Sequence, residues 1–363
     1  MSVSPIALEN ITNITPLGNL NPPAHTFPTS HMYFNLPTRQ GAPGEGPMGD
    51  GRVVPQFPIV SPGKIILKSV FVSDLTSTRS GKPVSYTEYK PTFAVCGGIQ
   101  IEFGHTGPLS DRINAAIKTA PPRNCQEYST GPDTVRGCNY ELNLQLDAGE
   151  PIGFNSGRAF GFDFGAYDSS APQQKFVQPE RYGFEGRYNV CPLDLFEPNA
   201  RAKFYSYLGQ LVSQTKIQLR TIEPLCGTPM QDVAGTAQGN WFVNPKEPNP
   251  EDNNLALVYD NIDPTKPVLS VGISVKGLAS NTYSFTRKSS GAINREFSAI
   301  KPDGQIYCFE QLVKGQFASQ PVDAITILVA LTNAETLRLE ARQASPCNAS
   351  ALTFSANAAT FYR

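Results

Sequence analysis

Stretches in which apolar and polar residues alternate recur along the chain and predict a mainly β protein. Residues 140–147, YELNLQLD, place four apolar side chains on one face and four polar ones on the other. Residues 160–167, FGFDFGAY, place three phenylalanines on one face and Asp163, between two glycines, on the opposite face. Two further β-rich runs lie at 64–72 and 97–103. The N-terminal half is therefore predicted to contain a β-rich domain.

Two segments of this half have features typical of helices. Residues 109–119 place Leu109, Ile113 and Ile117 four positions apart, which aligns them on one helical face. Residues 192–208 begin with a proline, which suits the first turn of a helix. We predict one helix in each segment.

A stretch rich in proline, glycine and asparagine, 226–254, has no strong periodicity and predicts a linker that runs into a first strand. After it, short β-rich runs follow one another with turn signals and no helix between them, which is typical of a sandwich or barrel. These runs are 255–260, 268–275, 282–287, 304–312, 324–331, 336–342 and 351–363.

The predicted organisation has four parts. They are an N-terminal arm (1–22), a β-rich domain with two helices (23–225), the linker with its first strand (226–254) and a C-terminal antiparallel β-sandwich or barrel (255–363).

The charge balance excludes one class of partner. Lys and Arg number 30 and Asp and Glu 31 among 363 residues, so the formal net charge is -1. A surface of this kind does not attract nucleic acid electrostatically, and no basic stripe with interleaved aromatic residues is present. No apolar run reaches the roughly 20 residues that a membrane-spanning helix needs. We therefore expect neither a nucleic-acid partner nor a membrane span.

The seven cysteines are scattered and form no CxxC pair, so their spacing excludes a zinc ribbon and a thioredoxin site. In a loop-rich β sequence this usage favours disulfides, and we predict the local pairs Cys125–Cys138 and Cys308–Cys347. An odd count leaves at least one thiol free or bonded to another chain. Buried reduced cysteines in a cytosolic protein are the alternative. Cys191, just before the second predicted helix, could be a nucleophile, but a structural role is favoured.

Residues 1–20 lack the basic start and apolar run of a signal peptide. The protein is therefore either not exported, or its sequence begins after a signal that has been removed. The cysteine usage favours the second option. We expect an extracellular or cell-envelope location.

Histidine is scarce, and all three histidines lie in the N-terminal half. His25 and His31 lie in PPAHTFPTSHMYF, and His105 lies in IEFGHTGPLS, just past a predicted strand. A catalytic zinc ion requires three protein ligands and an open position for water. His25, His31 and Asp163 could be those metal ligands, and His105 could act in catalysis by orienting the water or stabilising an oxyanion. Glu102 and Asp168 are the only other candidate bases, and a solvated surface position is favoured for both.

The order of these segments resembles that of the lysostaphin-type (LytM-like) zinc endopeptidases, which cut cell-wall peptide bridges. That family has an early His followed by an Asp, a YGH strand end, a Gly turn and an HLHFE strand. HTFPTS (25–30) resembles the first element, FGH (103–105) the second, AGEPIG (148–153) the third and GFDFG (161–165) the fourth. The resemblance covers about residues 25–195. It implies a β-rich peptidase scaffold with zinc as a possible cofactor.

Three positions depart from the family pattern. Gly161 replaces an assisting histidine, Asp163 replaces a ligand histidine, and Ser30 stands where the ligand aspartate would be. The favoured hypothesis is therefore a secreted or envelope-associated binding or structural protein without catalytic activity, on a degenerate metallopeptidase scaffold. Its partner would be a cell-wall or extracellular polymer, or another copy of itself. The alternative is a zinc-dependent hydrolase of cell-wall peptide bridges or a related envelope polymer.

Overall fold

A computed structural model describes the whole chain apart from residues 48, 79–80, 131–132, 214–215, 247–250, 316–319, 323–324, 344–345 and 349–351. The chain forms two compact units. The first consists of Met1–Pro16, His31–Pro172 and Tyr188–Cys226, and the second of Leu17–Ser30, Gln173–Arg187 and Gly227–Arg363. Two short segments of the N-terminal half thus belong to the second unit.

The described part of the first unit contains fifteen strands and two α-helices. The strands are β1 Asn13–Thr15, β2 His31–Asn35, β3 Arg39–Gln40, β4 Arg52–Val53, β5 Pro58–Val60, β6 Ile65–Ser77, β7 Val84–Ala94, β8 Ile99–Gly104, β9 Thr106–Leu109, β10 Pro122–Thr130, β11 Asp133–Leu146, β12 Pro151–Asn155, β13 Gly161–Asp168, β14 Gly209–Ser213 and β15 Lys216–Leu219. The helices are α1 Asp111–Thr119 and, numbered in chain order, α3 Pro198–Tyr205.

The described part of the second unit contains ten strands and one short helix, α2 Phe184–Arg187. The strands are β16 Gly239–Trp241, β17 Leu255–Tyr259, β18 Pro267–Val271, β19 Asn281–Ser284, β20 Tyr307–Phe309, β21 Leu312–Lys314, β22 Gln320–Val322, β23 Ile325–Asn333, β24 Thr336–Gln343 and β25 Ala359–Tyr362. The protein is therefore mainly β, as the alternating pattern predicted.

The first unit is built on a large sheet whose main path runs β1-β2-β13-β8-β7-β6-β11-β10, with antiparallel pairing throughout. One face of its centre is a cluster of aromatic rings. The ring centroids of Phe103 and Phe162 lie 4.9 Å apart, and those of Phe34 and Phe164 lie 5.7 Å apart. These four side chains are fully buried. Phe162, Phe164 and Ala166 of β13 therefore enter the core, and the side chains of Asp163 and Tyr167 point to the opposite face.

The second unit is a sandwich of two antiparallel sheets. One has the order β16-β17-β18-β19-β21-β22 and the other β20-β23-β24-β25. Alternate side chains of both sheets enter one buried core, which includes Leu257, Tyr283, Phe309, Val329 and Phe361. The expectation of an antiparallel sandwich or barrel is thus resolved in favour of the sandwich.

Three disulfides stabilise the chain: Cys125–Cys138, Cys308–Cys347 and Cys191–Cys226. The first two confirm the predicted pairs. The third pairs Cys191, so the nucleophile interpretation of that residue is wrong. Cys96 is free and exposed. Each bridge lies within one unit.

Proline and turn residues divide two segments that the sequence predicts as single elements. Residues 192–208 form a 3₁₀ turn, Pro192–Leu195, and then α3, which begins at Pro198. A proline has no N–H to donate and fits the first turn of a helix, not its interior. Residues 304–312 divide into β20 and the start of β21, which belong to different sheets, because Gln311 adopts a φ of 55° between them.

Residues 1–22, predicted as an N-terminal arm, contain β1, which pairs with β2, and the fully buried Ile6 and Ile14. Residues 226–254, for which the sequence predicted a linker that runs into a first strand, include β16, whose Trp241 is fully buried and donates its indole N–H to the carbonyl of Ala237 at 2.8 Å. Among the described residues, no helix has both the length and the apolar character required to cross a membrane.

Candidate functional site

The side chains of β13 that do not enter the core lie on the polar face of the first unit's sheet. Strand register places Asp163 opposite Tyr33 of β2 and opposite Gly104 of β8. Two residues further along, Gly165 lies opposite His31 and Glu102. Because side chains two positions apart share a face, these residues surround one area of the sheet. We call the following set the polar face: His31, Tyr33, Glu88, Lys90, Glu102, His105, Ser156, Asp163 and Tyr167.

His105 lies where β8 ends and β9 begins, and its backbone is in the left-handed region with a φ of 53°. Histidine is among the few residues with a side chain that adopt this conformation at modest cost. Its Nδ1 lies 3.0 Å from Oε2 and 3.2 Å from Oε1 of Glu88. The hydroxyl of Ser156 donates to Oε1 of the same carboxylate at 2.6 Å. Glu88 therefore holds both side chains in place.

Asp163 lies between two imidazoles. Its Oδ2 is 3.6 Å from Nε2 of His105 and 3.7 Å from Nε2 of His31. The His31 ring also contacts Tyr33 edge to face, with the centroids 4.9 Å apart. The side chains of His31 and Asp163 are mostly buried, whereas that of His105 is 37% exposed. Solvent therefore reaches this group of atoms from the His105 side.

A second carboxylate of the polar face has its own partners. Glu102 accepts a hydrogen bond from the hydroxyl of Tyr167 at 2.6 Å and pairs with Nζ of Lys90 at 3.0 Å. The Glu102 side chain is only 9% exposed, so the neighbouring cation and hydroxyl offset the cost of burying its charge. The suggestion that Glu102 lies on a solvated surface is thus wrong.

The glycines beside Asp163 make room for the protein's own side chains. A Cβ atom at Gly104 would lie within 2.9 Å of three atoms of Asp163, and one at Gly165 would overlap the hydroxyl of Tyr167. A Cβ atom at Gly161 would lie 3.2 Å from Cβ of Tyr33. Side chains of the protein itself therefore partly fill the space beside Asp163.

Substitution of Gly104 should disrupt the placement of Asp163. The new Cβ atom would lie 2.8 Å from Cβ of Asp163, which cannot move without its backbone. We expect Gly104→Ala to cost about 1–3 kcal/mol in the free energy of unfolding, measured by denaturant titration. Gly63→Ala is the control, because its Cβ atom would meet only ordinary contacts at 3.5 Å or more. Equal stability of the two variants would contradict the expected close contact.

The structure brings together three of the four site residues that the sequence predicted: His31, His105 and Asp163. The fourth, His25, belongs to the second unit, where its Nδ1 lies 3.9 Å from Oε2 of Glu251. Among the residues that the structure describes, no three His, Cys, Asp or Glu side chains are arranged to hold a metal ion. The predicted zinc ligand set of His25, His31 and Asp163 therefore does not fit this structure.

Glu88 and Ser156 were not among the site residues predicted from the sequence. Glu88 could have been found from the alternation in VSYTEYK, which places it on the same face of β7 as Lys90. Ser156 comes directly after β12, and its backbone N–H donates to the carbonyl of His105 at 2.7 Å. No pattern in the sequence indicates that contact, because it depends on how β12 and β9 pair.

The arrangement is better suited to holding a polar group than to nucleophilic catalysis. A serine nucleophile is usually activated by a base that accepts its proton and is itself oriented by a third group. Here the hydroxyl of Ser156 and the ring of His105 share one partner, Glu88, so they do not form a serine–histidine pair. No protein-family model, curated protein or solved structure was found to match this chain.

Proposed function

We propose that the protein is an exported binding protein without catalytic activity, and that the polar face is its ligand-binding surface. The observation that carries this proposal is that two buried carboxylates, those of Glu88 and Glu102, are held by hydrogen bonds and ion pairs. Glu88 is bound by His105 and Ser156, and Glu102 by Lys90 and Tyr167. Such fixed polar groups can orient a ligand and make its binding specific.

The disulfides support export. Three bridges form among the seven cysteines, two of them over separations of 35 and 39 residues. Disulfides persist mainly in oxidising compartments such as the extracellular space and the bacterial periplasm. The class of ligand that we propose is a cell-wall or extracellular polymer.

The test is sedimentation with insoluble cell-wall polymers, in which bound protein is measured in the pellet. We expect wild-type protein to sediment and His105→Asn to lose at least about 10-fold in affinity, since a lost charge-assisted contact costs about 1.5–3 kcal/mol. Asparagine tolerates the positive φ at this position, so the backbone should be preserved. His25→Asn is the matched control, because it makes the same change in the second unit and should bind like wild type.

Two outcomes would contradict the proposal. Release of new amino groups or reducing ends by the wild-type protein would identify a hydrolase. Equal binding by His105→Asn, His25→Asn and wild type would remove the polar face from the binding surface. Thermal melting of both variants shows whether a loss of binding reflects a loss of folding.

A further inference from the structure

We propose that the second unit encloses a water-binding site formed by the hydroxyl groups of Ser270 and Thr282. The site lies on the outer face of the sheet β16-β17-β18-β19-β21-β22, the face that is turned away from the core of the sandwich. The ligand is a water molecule that is held as part of the folded structure. This site belongs to a different unit from the polar face, so the inference does not depend on the proposed function.

Strand register places Ser270 and Thr282 side by side. Leu269 and Val271 of β18 enter the core of the sandwich, so Ser270 between them points to the opposite face. Thr282 of β19 is the direct partner of Ser270 in the antiparallel pair. The Cβ atoms of such partners lie about 4.5–5.5 Å apart on the same face of the sheet. The two hydroxyl groups therefore share one small area.

Both hydroxyl groups are buried and have no hydrogen-bond partner within the described part of the chain. Ser270 is 0% exposed and Thr282 is 4% exposed. Neither Oγ of Ser270 nor Oγ1 of Thr282 bonds to another described atom of the protein, so the two hydroxyls do not bond to each other either. A buried polar group without a partner destabilises a fold, and such groups are rare in native proteins. Two of them on directly opposite residues indicate a partner that they share.

One water molecule matches this pair in size and in hydrogen-bonding capacity. Each hydroxyl donates one hydrogen bond and accepts two. A buried water molecule typically bonds to two to four polar groups that would otherwise lack a partner. Hydrogen bonds between such oxygens are about 2.7–2.8 Å long, so one water can join two oxygens that lie up to about 5.5 Å apart. This reach equals the spacing of directly opposite residues in an antiparallel pair.

The surroundings favour water over a larger or a charged ligand. The two hydroxyl oxygens have almost no accessible surface, so an organic ligand has no open path to them, whereas a water molecule can enter during brief local openings. Ala256 and Val268, on the same face of the sheet, pack with Leu20 in an apolar cluster. Both polar groups of the site are neutral hydroxyls, whereas a hard cation is held mainly by carboxylates and carbonyl oxygens.

The test combines a crystal structure of the full-length protein with a double-mutant cycle. The crystal structure should show an ordered water within about 3 Å of both Oγ of Ser270 and Oγ1 of Thr282. For the cycle, Ser270→Ala, Thr282→Val and the double variant are unfolded with denaturant, and the fluorescence of Trp241 reports the second unit. Each single substitution should raise the equilibrium constant of unfolding about 2- to 10-fold, because the remaining hydroxyl and the water lose a partner. The double variant should be destabilised by less than the product of the two factors.

Thr236→Val is the matched control for Thr282→Val. Thr236 is also fully buried, but its hydroxyl donates to the carbonyl of Val233 at 2.8 Å. It precedes β16, which is two strands away from β18 in the sheet. Its effect on the equilibrium constant of unfolding should therefore multiply with that of Ser270→Ala, without coupling.

Two results would overturn the inference. One is a crystal structure in which the two hydroxyls bond to each other or to main-chain carbonyls, with no water between them. The other is a set of single variants as stable as wild type or more stable, because a hydroxyl without any partner is better replaced by a methyl group. The crystal structure uses the wild-type protein, so it is decisive even if a variant fails to fold.

Discussion

Replacement of Cys308 and Cys347 together by alanine is expected to lower the free energy of unfolding of the second unit by about 4 kcal/mol. The bridge closes a separation of 39 residues, and breaking it restores the chain entropy of that loop in the unfolded state. Both sulfurs are also buried beside Leu328, so the loss of packing adds to the effect. The measurement is denaturant unfolding followed by the fluorescence of Trp241, the single tryptophan of the chain, which lies in this unit.

The matched control is the double replacement of Cys125 and Cys138. That bridge spans only 13 residues and joins β10 to β11 in the first unit, so its loss should cost about 3 kcal/mol there and leave the Trp241 transition unchanged. Thiol labelling of the folded wild-type protein should first show one reactive cysteine, Cys96. Labelling of several cysteines without a reducing agent would contradict the pairing itself.

The second unit should lose stability steeply as the pH rises above 10. Burial raises the pKa of Tyr283 to about 12, and burial, with the nearby Asp303, raises the pKa of Tyr307 to about 12. A group whose pKa is raised by folding contributes its full stability below the unfolded pKa of about 10 and loses it as the pH rises through the folded value. Tyr283 is 1% exposed, and the rise in its pKa alone corresponds to a loss of about 3 kcal/mol in the free energy of unfolding between pH 10 and 12.

Tyr283→Phe tests this expectation. The variant should lose about 1 kcal/mol at pH 8, because the Tyr283 hydroxyl donates to the carbonyl of Ala279 at 2.7 Å. Between pH 10 and 12 its stability should fall less steeply than that of wild type, because one titrating phenol is gone. The measurement is chemical unfolding at several pH values. Parallel pH profiles for the two proteins would refute the assignment.

The alternating pattern predicted the strands well where one face of the sheet is buried. β13 shows this clearly: its phenylalanines enter the core, and Asp163 points the other way, as the period of two requires. The pattern did not reveal turns that fall inside an apolar run. At Gln311, between β20 and β21, the residues Phe309 and Leu312 on either side are both buried, so the sequence reads as one strand. Spacing alone also could not show that Cys191 pairs with Cys226, which comes 35 residues later.

The candidate site could be predicted only in part. Strand parity placed Asp163 on the face opposite the phenylalanines, and the motif order of the peptidase family suggested that His105 lies near it. The distance of 3.6 Å between Oδ2 of Asp163 and Nε2 of His105 agrees with this expectation. Which other residues lie beside them depends on strand register, and register is not visible in the sequence of one strand. It brought Glu88 of β7 to His105, and it placed Tyr33 beside Gly161. The sequence also does not show that His25 belongs to the second unit while His31, six residues later, belongs to the first.

The residues that segment 17–30 contacts are synthesised long after the segment itself. Its Leu20 packs with Val258 and Val268, and the backbone N–H of Phe27 donates to Glu251, which the ribosome adds 224 residues later. The first unit can be complete once Cys226 has emerged, but Leu20 then has no apolar surface of its own unit to cover it. Premature termination after residue 226 would therefore leave a folded sheet with the apolar side chain of Leu20 uncovered, and exposed apolar surface of this kind makes a chain prone to aggregate.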